Sequence, residues 1–142
     1  MYNKKSIQEI IAAQNGRQRS KPREEEHKLQ CACVKWFNLQ YPEYRGLLFA
    51  VPNGGVRSKA TAGKLKAEGV VAGVADLILL VPQCATPFNL YHGLCIELKT
   101  KTGRQSPEQK AWQKKVEDKG YKYIIVRSFD EFKDEVERYL RG

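Results

Sequence analysis

The sequence predicts a mixed α/β domain in which a four-stranded sheet is flanked by helices. Strand-like and helix-like segments alternate along the chain, in the order helix, strand, short helix, strand, strand, helix, strand, helix. The two central strands follow each other across a loop-like segment, so they are expected to pair antiparallel. The last two strands are separated by a helix and can run parallel. With 142 residues, the chain is long enough for one such domain with a substantial core.

Residues 1–22 are predicted to be an appendage, which leaves residues 23–142 as the single domain. Residues 6–9 have the pattern of a capping box and indicate a short helix. Residues 15–22 are basic and rich in turn formers, which is typical of a mobile arm. Two interpretations stay open: the arm follows a phosphate backbone, or it is a disordered leader.

The first helix of the domain is predicted over residues 22–39. Pro22 suits the first position of a helix, and the glutamates at 24–26 suit its positive end. Apolar residues spaced three and four apart form its buried stripe: Leu29, Cys33, Trp36 and Phe37. Glu26 lies at the edge of this stripe, one turn before its first member. Compensation of the helix dipole would be enough to explain Glu26.

A buried strand is predicted over residues 46–51 and is ended by the turn residues 52–55. A short basic helix follows, begun by Ser58 and ended by Gly69. A glycine turn that leads into a basic helix can present backbone N–H groups to phosphates, although most such segments are only connections. The candidate phosphate contacts of this region are Asn53, Gly54, Arg57 and Lys66.

The two central strands each carry an acid among apolar residues, Asp76 in the first and Glu97 in the second. An acid is costly in such a place unless it is paired or binds a metal. If these two residues face each other in an antiparallel hairpin, the midpoint falls between residues 86 and 87. That point lies within residues 82–89, the most loop-like segment nearby, so turn chemistry favours the same pairing.

Lys99 follows Glu97 by two residues, so on a strand both side chains lie on one face. The predicted hairpin therefore creates a patch with two carboxylates and one ammonium group. Two close carboxylates suit a divalent metal with oxygen ligands, and the ammonium group suits a developing anion.

The last third of the chain is predicted to be basic loop, helix, strand and helix. The loop contributes Lys101 and Arg104 as further candidate phosphate contacts. The next helix has Ser106 as its N-cap, and Gln109 occupies the position where a capping box takes Gln or Glu. After a strand over residues 121–126, the final helix is capped by a second box and buries four side chains. The residues of this box are Ser128 and Glu131, and the buried side chains are Phe132, Val136, Tyr139 and Leu140.

The composition favours a polyanionic partner. The formal charge is +9, from 25 Lys and Arg against 16 Asp and Glu. Nucleic acid is the first partner that such an excess suggests and an anionic membrane surface the second, while a basic protein without such a partner stays open. No apolar run approaches the length of a membrane span and no signal peptide is visible, so a cytoplasmic protein is expected.

The cysteines and histidines do not form a zinc motif. Cys31 and Cys33 make one close pair, but the remaining two cysteines, Cys84 and Cys95, are scattered. Cys33 and Cys95 are expected to pack as small apolar residues, and disulfides are not expected in a reducing compartment. His27 and His92 are interpreted as ordinary polar residues.

Five short segments occur in an order that resembles the virus-type replication-repair nuclease (VRR-NUC) domain, a branch of the restriction-endonuclease-like PD-(D/E)XK superfamily. They are residues 52–55, 65–69, 73–77, 93–99 and 106–110. The resemblance covers roughly residues 24–128, nearly the whole chain, so the protein looks like a stand-alone version of the domain, as in phages and bacteria. The same domain also ends a much larger eukaryotic DNA-repair nuclease. One departure is Ala75, where the motif has a proline that shapes the backbone and supplies no ligand.

The resemblance implies a phosphodiesterase that uses Mg²⁺ or Mn²⁺ and no organic cofactor. Its implied metal ligands are Asp76, Glu97, the Leu98 carbonyl and Glu26, the last directly or through water. Lys99 would position the attacking water or stabilise charge on the phosphorane-like transition state. Gln109 corresponds to a helix glutamine of the family that lies close to the lysine and the metal.

The function expected from the residues and the resemblance together is a structure-selective DNA endonuclease. Branched DNA such as four-way junctions is the leading substrate, in a repair role, and a homodimer is expected because a two-fold junction needs two active sites. If the chain is phage-encoded, it would act in the host cytoplasm. The alternatives are a nuclease for linear or single-stranded DNA in replication or restriction, a catalytically silent DNA-binding module, and an RNA-processing enzyme.

Overall fold

The computed structural model of the protein describes residues 21–52 and 58–142. The predicted arm, apart from its last two residues, and the candidate contacts Asn53, Gly54 and Arg57 lie outside the described residues.

The helices and the strands of the main sheet follow the predicted order, and two further strands, β3 and β4, lie between the two central strands. The helices are α1 (Lys21–Gln40), α2 (Lys59–Ala67), α3 (Pro107–Glu117) and α4 (Phe129–Arg141), with a 3₁₀ turn at Pro42–Tyr44. The strands are β1 (Leu48–Ala50), β2 (Leu77–Leu79), β3 (Gln83–Thr86), β4 (Asn89–Tyr91), β5 (Leu94–Leu98) and β6 (Lys122–Val126). Of the helices in the described ranges, none combines the length and the apolar character that crossing a bilayer requires.

The main sheet has four strands in the order β1-β2-β5-β6. The pairs β1–β2 and β2–β5 are antiparallel, whereas β5 and β6 are parallel. The predicted mixed sheet flanked by helices is therefore confirmed. Leu77 pairs with Ile96, and this register extends to Asp76 opposite Glu97, as the turn arithmetic predicted.

Residues 82–89 differ from their predicted loop. They form most of a separate two-stranded sheet, in which β3 and β4 pair antiparallel around a turn at Pro87 and Phe88. Contacts with α4 hold this ribbon: the Gln83 side chain donates to the Leu140 carbonyl at 3.2 Å, and the Tyr139 hydroxyl donates to the Val81 carbonyl at 2.6 Å. The local turn residues favoured a loop, and tertiary hydrogen bonds stabilise strands there instead.

Hydrophobic side chains cover both faces of the main sheet, but with different partners. One face packs against α1 and α4, where Leu77 and Ile96 of the sheet meet Phe37 and Phe132 of the helices in one cluster, all fully buried. The other face has a smaller cluster of Ala75, Cys95 and Tyr123, against which Trp112 and Val116 of α3 pack. Asp76 and Glu97 alternate with the first set along their strands, so they lie on the face that α3 covers.

Serine side chains begin three of the helices, as predicted. Ser58, Ser106 and Ser128 each accept a hydrogen bond from the backbone N–H three residues later. The capping box is complete at Ser106. At Ser128 it is not, because the Glu131 carboxylate accepts from the N–H of Arg127, one residue before the cap. None of the four cysteines, all within the described ranges, forms a disulfide, and Cys33 and Cys95 are buried.

Candidate active site

Two carboxylates from adjacent strands form the centre of the candidate site. Asp76 immediately precedes β2 and Glu97 is the fourth residue of β5, and the antiparallel register places them side by side. The two carboxyl groups are close enough for the charge of Asp76 to raise the pKa of Glu97. The fold therefore brings together two acids that are 21 positions apart in the sequence.

Glu97 is the buried member of the pair, with 1% of its surface exposed. Its Oε1 atom accepts a hydrogen bond from Nε2 of Gln109 at 2.7 Å and lies 3.4 Å from Nζ of Lys99. Its Oε2 atom accepts from the hydroxyl of Tyr123 at 3.3 Å. Both carboxylate oxygens thus have partners from the protein, which compensates part of the cost of burial.

Asp76 is half-buried and is held by the backbone of the neighbouring strand. Its Oδ2 atom accepts a hydrogen bond from the N–H of Leu98 at 2.8 Å. The backbone of Leu98, whose carbonyl is a candidate ligand, therefore lies beside this carboxylate.

The electrostatics of the pair favour a bound proton or cation. Burial, and then the negative charge of Asp76, raise the pKa of Glu97 to about 7, against the opposing effect of Lys99. Burial also raises the pKa of Asp76, although the Leu98 hydrogen bond and Lys99 oppose this shift. When both acids are ionised, one ammonium group faces two negative charges in a poorly solvated place.

These donors fit a hard divalent cation such as Mg²⁺ or Mn²⁺. Carboxylate and carbonyl oxygens are the ligands that such ions prefer, and an added positive charge would relieve the repulsion within the pair. Across residues 21–52 and 58–142, however, no group of three Asp, Glu, His or Cys side chains is close enough to hold a metal. The pair would therefore need ligands from the backbone, water or substrate.

Glu26 lies in a pocket beside Lys99 and does not complete such a group. It is half-buried on α1 and lines a pocket of about 350 Å³ together with Lys99, Lys101 and Arg127. The fold thus brings Glu26 to the side of the site where Lys99 lies, on the edge of the buried stripe, as the helical spacing predicted.

Gln109 makes a hydrogen bond from each end of its side-chain amide. Its Oε1 atom accepts from the N–H of Ser106 at 2.8 Å and completes the capping box of α3. Its Nε2 atom donates to Glu97 at 2.7 Å. Because an amide has an acceptor at one end and a donor at the other, a single side chain caps the helix and holds the buried carboxylate.

The candidate phosphate contacts are divided between two places. Lys101 is exposed and lines the pocket beside Lys99, and Arg104 is exposed three residues further on. Lys66 instead lines a groove between α2 and residues 69–72. The structure thus places Lys101 in the same pocket as Lys99 and places Lys66 in a different depression.

Three residues of the site were not predicted from the sequence. Tyr123 and Gln105 contact each other, and Tyr123 contacts Glu97. Arg127 donates from Nη1 to the carbonyls of Thr100 and Gly103, at 2.7 and 2.6 Å, and so holds the basic loop that follows Lys99. No local pattern signals these residues, because the parallel β5–β6 pairing and the loop geometry bring them to the site.

Comparisons with known proteins agree with this geometry. The sequence model of the VRR-NUC domain family matches residues 11–130. A solved structure described as a "VRR_NUC domain protein" is 25% identical and superposes with a TM-score of 0.67, over 82% of this chain and 88% of that chain. No curated protein is significantly similar to the sequence.

Proposed function

Because the chain belongs to the VRR-NUC domain family of nucleases, we propose that it is a metal-dependent endonuclease that hydrolyses phosphodiester bonds in DNA. The observation that supports this proposal best is the carboxylate pair of Asp76 and Glu97 with Lys99 beside it. A protein that only binds DNA has no need for buried acids that face a polyanion.

The proposed metal is Mg²⁺ or Mn²⁺, held by Asp76, Glu97 and the Leu98 carbonyl, with Glu26 directly or through water. When bound, such an ion supplies Lewis acidity to the phosphoryl group and neutralises charge on the carboxylates. The raised pKa of both acids supports this assignment, because burial disfavours their charged forms, and for Glu97 the charge of Asp76 adds to this effect, so that a bound cation would stabilise the ionised pair.

The other side chains have roles that follow from their contacts. Lys99 is 13% exposed, so its ammonium group can meet substrate while it stays close to Glu97. A compact positive charge there can stabilise the negative charge that develops on the phosphoryl oxygens. Gln109 keeps Glu97 oriented through its hydrogen bond, and the exposed residues Lys101 and Arg104 would contact phosphates on either side of the cut.

The proposed substrate is branched DNA, with four-way junctions first, in a repair role. The net charge of +9 supports a nucleic-acid substrate, and the selectivity for branches rests on the resemblance to small stand-alone family members. Two symmetric cuts need two copies of the site, so a homodimer is part of the proposal.

A substrate panel tests the proposal. The protein is incubated with Mg²⁺ or Mn²⁺ and with junction, flap, duplex and single-stranded DNA, and with a ribose-substituted strand. We expect the junction to be cut fastest, and Asp76→Asn and Lys99→Met to lower the rate by about 100-fold or more. Asp134→Asn removes an exposed carboxylate on α4 and serves as the control that retains activity.

Each possible result has a distinct meaning. Faster cutting of linear or single-stranded DNA would replace the branched substrate with a replication or restriction role, and faster cutting of the ribose strand would indicate RNA processing. Binding without products under either metal would indicate a silent binding module. Undiminished cutting by Lys99→Met would contradict the assigned site.

A further inference from the structure

The Oε2 atom of Glu97 has a hydrogen-bond partner, Tyr123, that has no role in the proposed reaction. The hydroxyl of Tyr123 donates to Oε2 of Glu97 at 3.3 Å. Tyr123 lies on β6, which runs parallel to β5, and 7% of its surface is exposed. This separation is longer than the roughly 2.8 Å that is usual for O–H···O bonds. The contact therefore restricts the carboxylate without locking it.

Gln105 fixes the direction of the Tyr123 hydroxyl. Its Nε2 atom donates to the phenolic oxygen at 3.3 Å, which occupies an acceptor position of that oxygen. A phenol has one proton, and with Gln105 donating to the oxygen, that proton is directed to Glu97. A phenol keeps its proton at neutral pH, so the hydroxyl remains a donor.

Gln105 is itself held in one orientation. Its Nε2 atom also donates to Oε1 of Gln113 at 2.9 Å, and Nε2 of Gln113 donates to the Glu117 carboxylate at 3.1 Å. Both protons of the Gln105 amide are thus used, and a flipped amide would lose both bonds. The polar chain runs from the exposed C-terminal end of α3 to the buried acid.

Helix α3 therefore controls both oxygens of Glu97. Gln109, in its first turn, donates a hydrogen bond to Oε1 directly. Gln113 is linked to Oε2 indirectly, because it accepts from Gln105, which donates to Tyr123. The last torsion of a glutamate side chain is intrinsically broad, so one hydrogen bond leaves the carboxylate plane free to turn. Two donors, one on each oxygen, define that plane.

We propose that Tyr123, oriented by Gln105, is a positioning residue that sets the carboxylate plane of Glu97 for metal binding. This inference rests on the proposed function, because it assigns the oriented carboxylate to the proposed ion. Outer partners that orient metal ligands commonly change metal affinity or activity by about 10- to 100-fold when removed. The long contact places the expected effect of Tyr123 at the lower end of that range.

The test measures metal binding directly in the full chain. Mn²⁺ is titrated into each protein without DNA, and the free ion is followed by electron paramagnetic resonance. We expect Tyr123→Phe to raise the dissociation constant for Mn²⁺ about 10-fold, and Gln105→Met to raise it by a smaller factor. DNA affinity measured in the absence of metal should be unchanged in both variants.

Tyr139→Phe is the matched control. Tyr139 is also buried, and its hydroxyl also donates a hydrogen bond, but to the Val81 carbonyl beside the β3–β4 ribbon. Loss of this hydroxyl should leave Mn²⁺ affinity unchanged. Equal weakening in Tyr139→Phe and Tyr123→Phe would show a general structural effect and overturn the positioning role.

The remaining outcomes distinguish an error in the role of Tyr123 from an error in the proposed metal site. If the wild type binds Mn²⁺ and Tyr123→Phe binds it equally well, the positioning role is wrong and the proposed nuclease stands. If the wild type does not bind Mn²⁺ at all, the proposed metal site is wrong, and the positioning role is overturned with it.

Discussion

Glu97 shows how a single residue links the stability of this protein to its chemistry. It is buried beside a second acid, and burial disfavours its charged form most of all. Hydrogen bonds from Gln109 and Tyr123 reduce this cost without removing it, since its pKa remains raised. The folded state is therefore least stable when Glu97 is ionised and no metal ion is bound beside it.

The stability of the metal-free protein should therefore depend on pH. The folded state holds the Glu97 proton up to a pKa of about 7, whereas the unfolded chain loses it near 4.5. Because the folded state binds more protons within this window, the free energy of unfolding falls as pH rises from about 4.5 to 7. The expected loss is on the order of 3 kcal/mol for the shift of Glu97.

Urea unfolding in EDTA at several pH values measures this loss. Glu97→Gln, which cannot ionise, should flatten the dependence and make the metal-free protein more stable than the wild type at pH 8. Asp134→Asn, with an exposed carboxylate removed, should keep the wild-type slope. A wild-type profile that rises or stays flat between these pH values would contradict the electrostatic account.

At the scale of elements, the N-terminus of α3 is positioned by a backbone contact with the segment before β2. Gly73 has a φ of +84°, and a Cβ added there would lie 2.5 Å from the carbonyl of Glu108 and 2.8 Å from the nitrogen of Gln109. A glycine at this point lets two backbones approach, and so places Gln109 within reach of Glu97.

Substitution of Gly73, which lies outside the carboxylate pair, should displace Gln109 and thereby lower the cleavage rate. Gly73→Ala must displace the first turn of α3, and a misplacement of about 1 Å can cost about 100-fold in rate. Gly69→Ala is the matched control, because Gly69 also has a positive φ, +100°, but no neighbour within 4 Å of the added Cβ. Both variants should lose about 1–2 kcal/mol from backbone strain.

Only Gly73→Ala should lose cleavage rate beyond the effect of lower stability. Chemical denaturation and initial rates on the same DNA, with both variants folded, separate these two effects. Equal rates in the two variants would show that the contact between Gly73 and α3 does not position Gln109.

At the scale of the whole molecule, three cationic side chains share the pocket beside the proposed chemistry. They are Lys99, Lys101 and Arg127, and Glu25 and Glu26 of α1 line the same pocket. The chain as a whole carries a formal charge of +9. A phosphate backbone that enters this pocket would displace counterions in proportion to the cations it meets.

DNA affinity should therefore fall steeply as salt rises. In EDTA, the logarithm of the binding constant should decrease linearly with the logarithm of salt concentration, and Lys101→Ala should reduce the slope by about 0.9. Arg141→Ala removes the same charge at the far end of α4, beside the ribbon, and should leave the slope unchanged. Fluorescence anisotropy across a salt series measures both, and equal slopes in all three proteins would contradict this placement of DNA.

Much of the fold was predictable because its signals are local. Serine caps, the glycine that ends α2 and the helical spacing of apolar residues each follow from neighbouring residues. The register of β2 and β5 was also predictable, because the two acids and the turn pointed to the same pairing. The β3–β4 ribbon was not, since hydrogen bonds with the distant helix α4 stabilise it.

The sequence alone determined the order of the helices and of the main-sheet strands, the family and the pairing of Asp76 with Glu97, because strand alternation and turn chemistry act over short distances. Only the tertiary structure decided which groups surround that pair. Tyr123 reaches Glu97, Gln105 reaches Tyr123, and Arg127 reaches the basic loop, through contacts between residues far apart in the sequence. Such contacts depend on how strands and helices pack, and packing leaves no pattern among neighbouring residues.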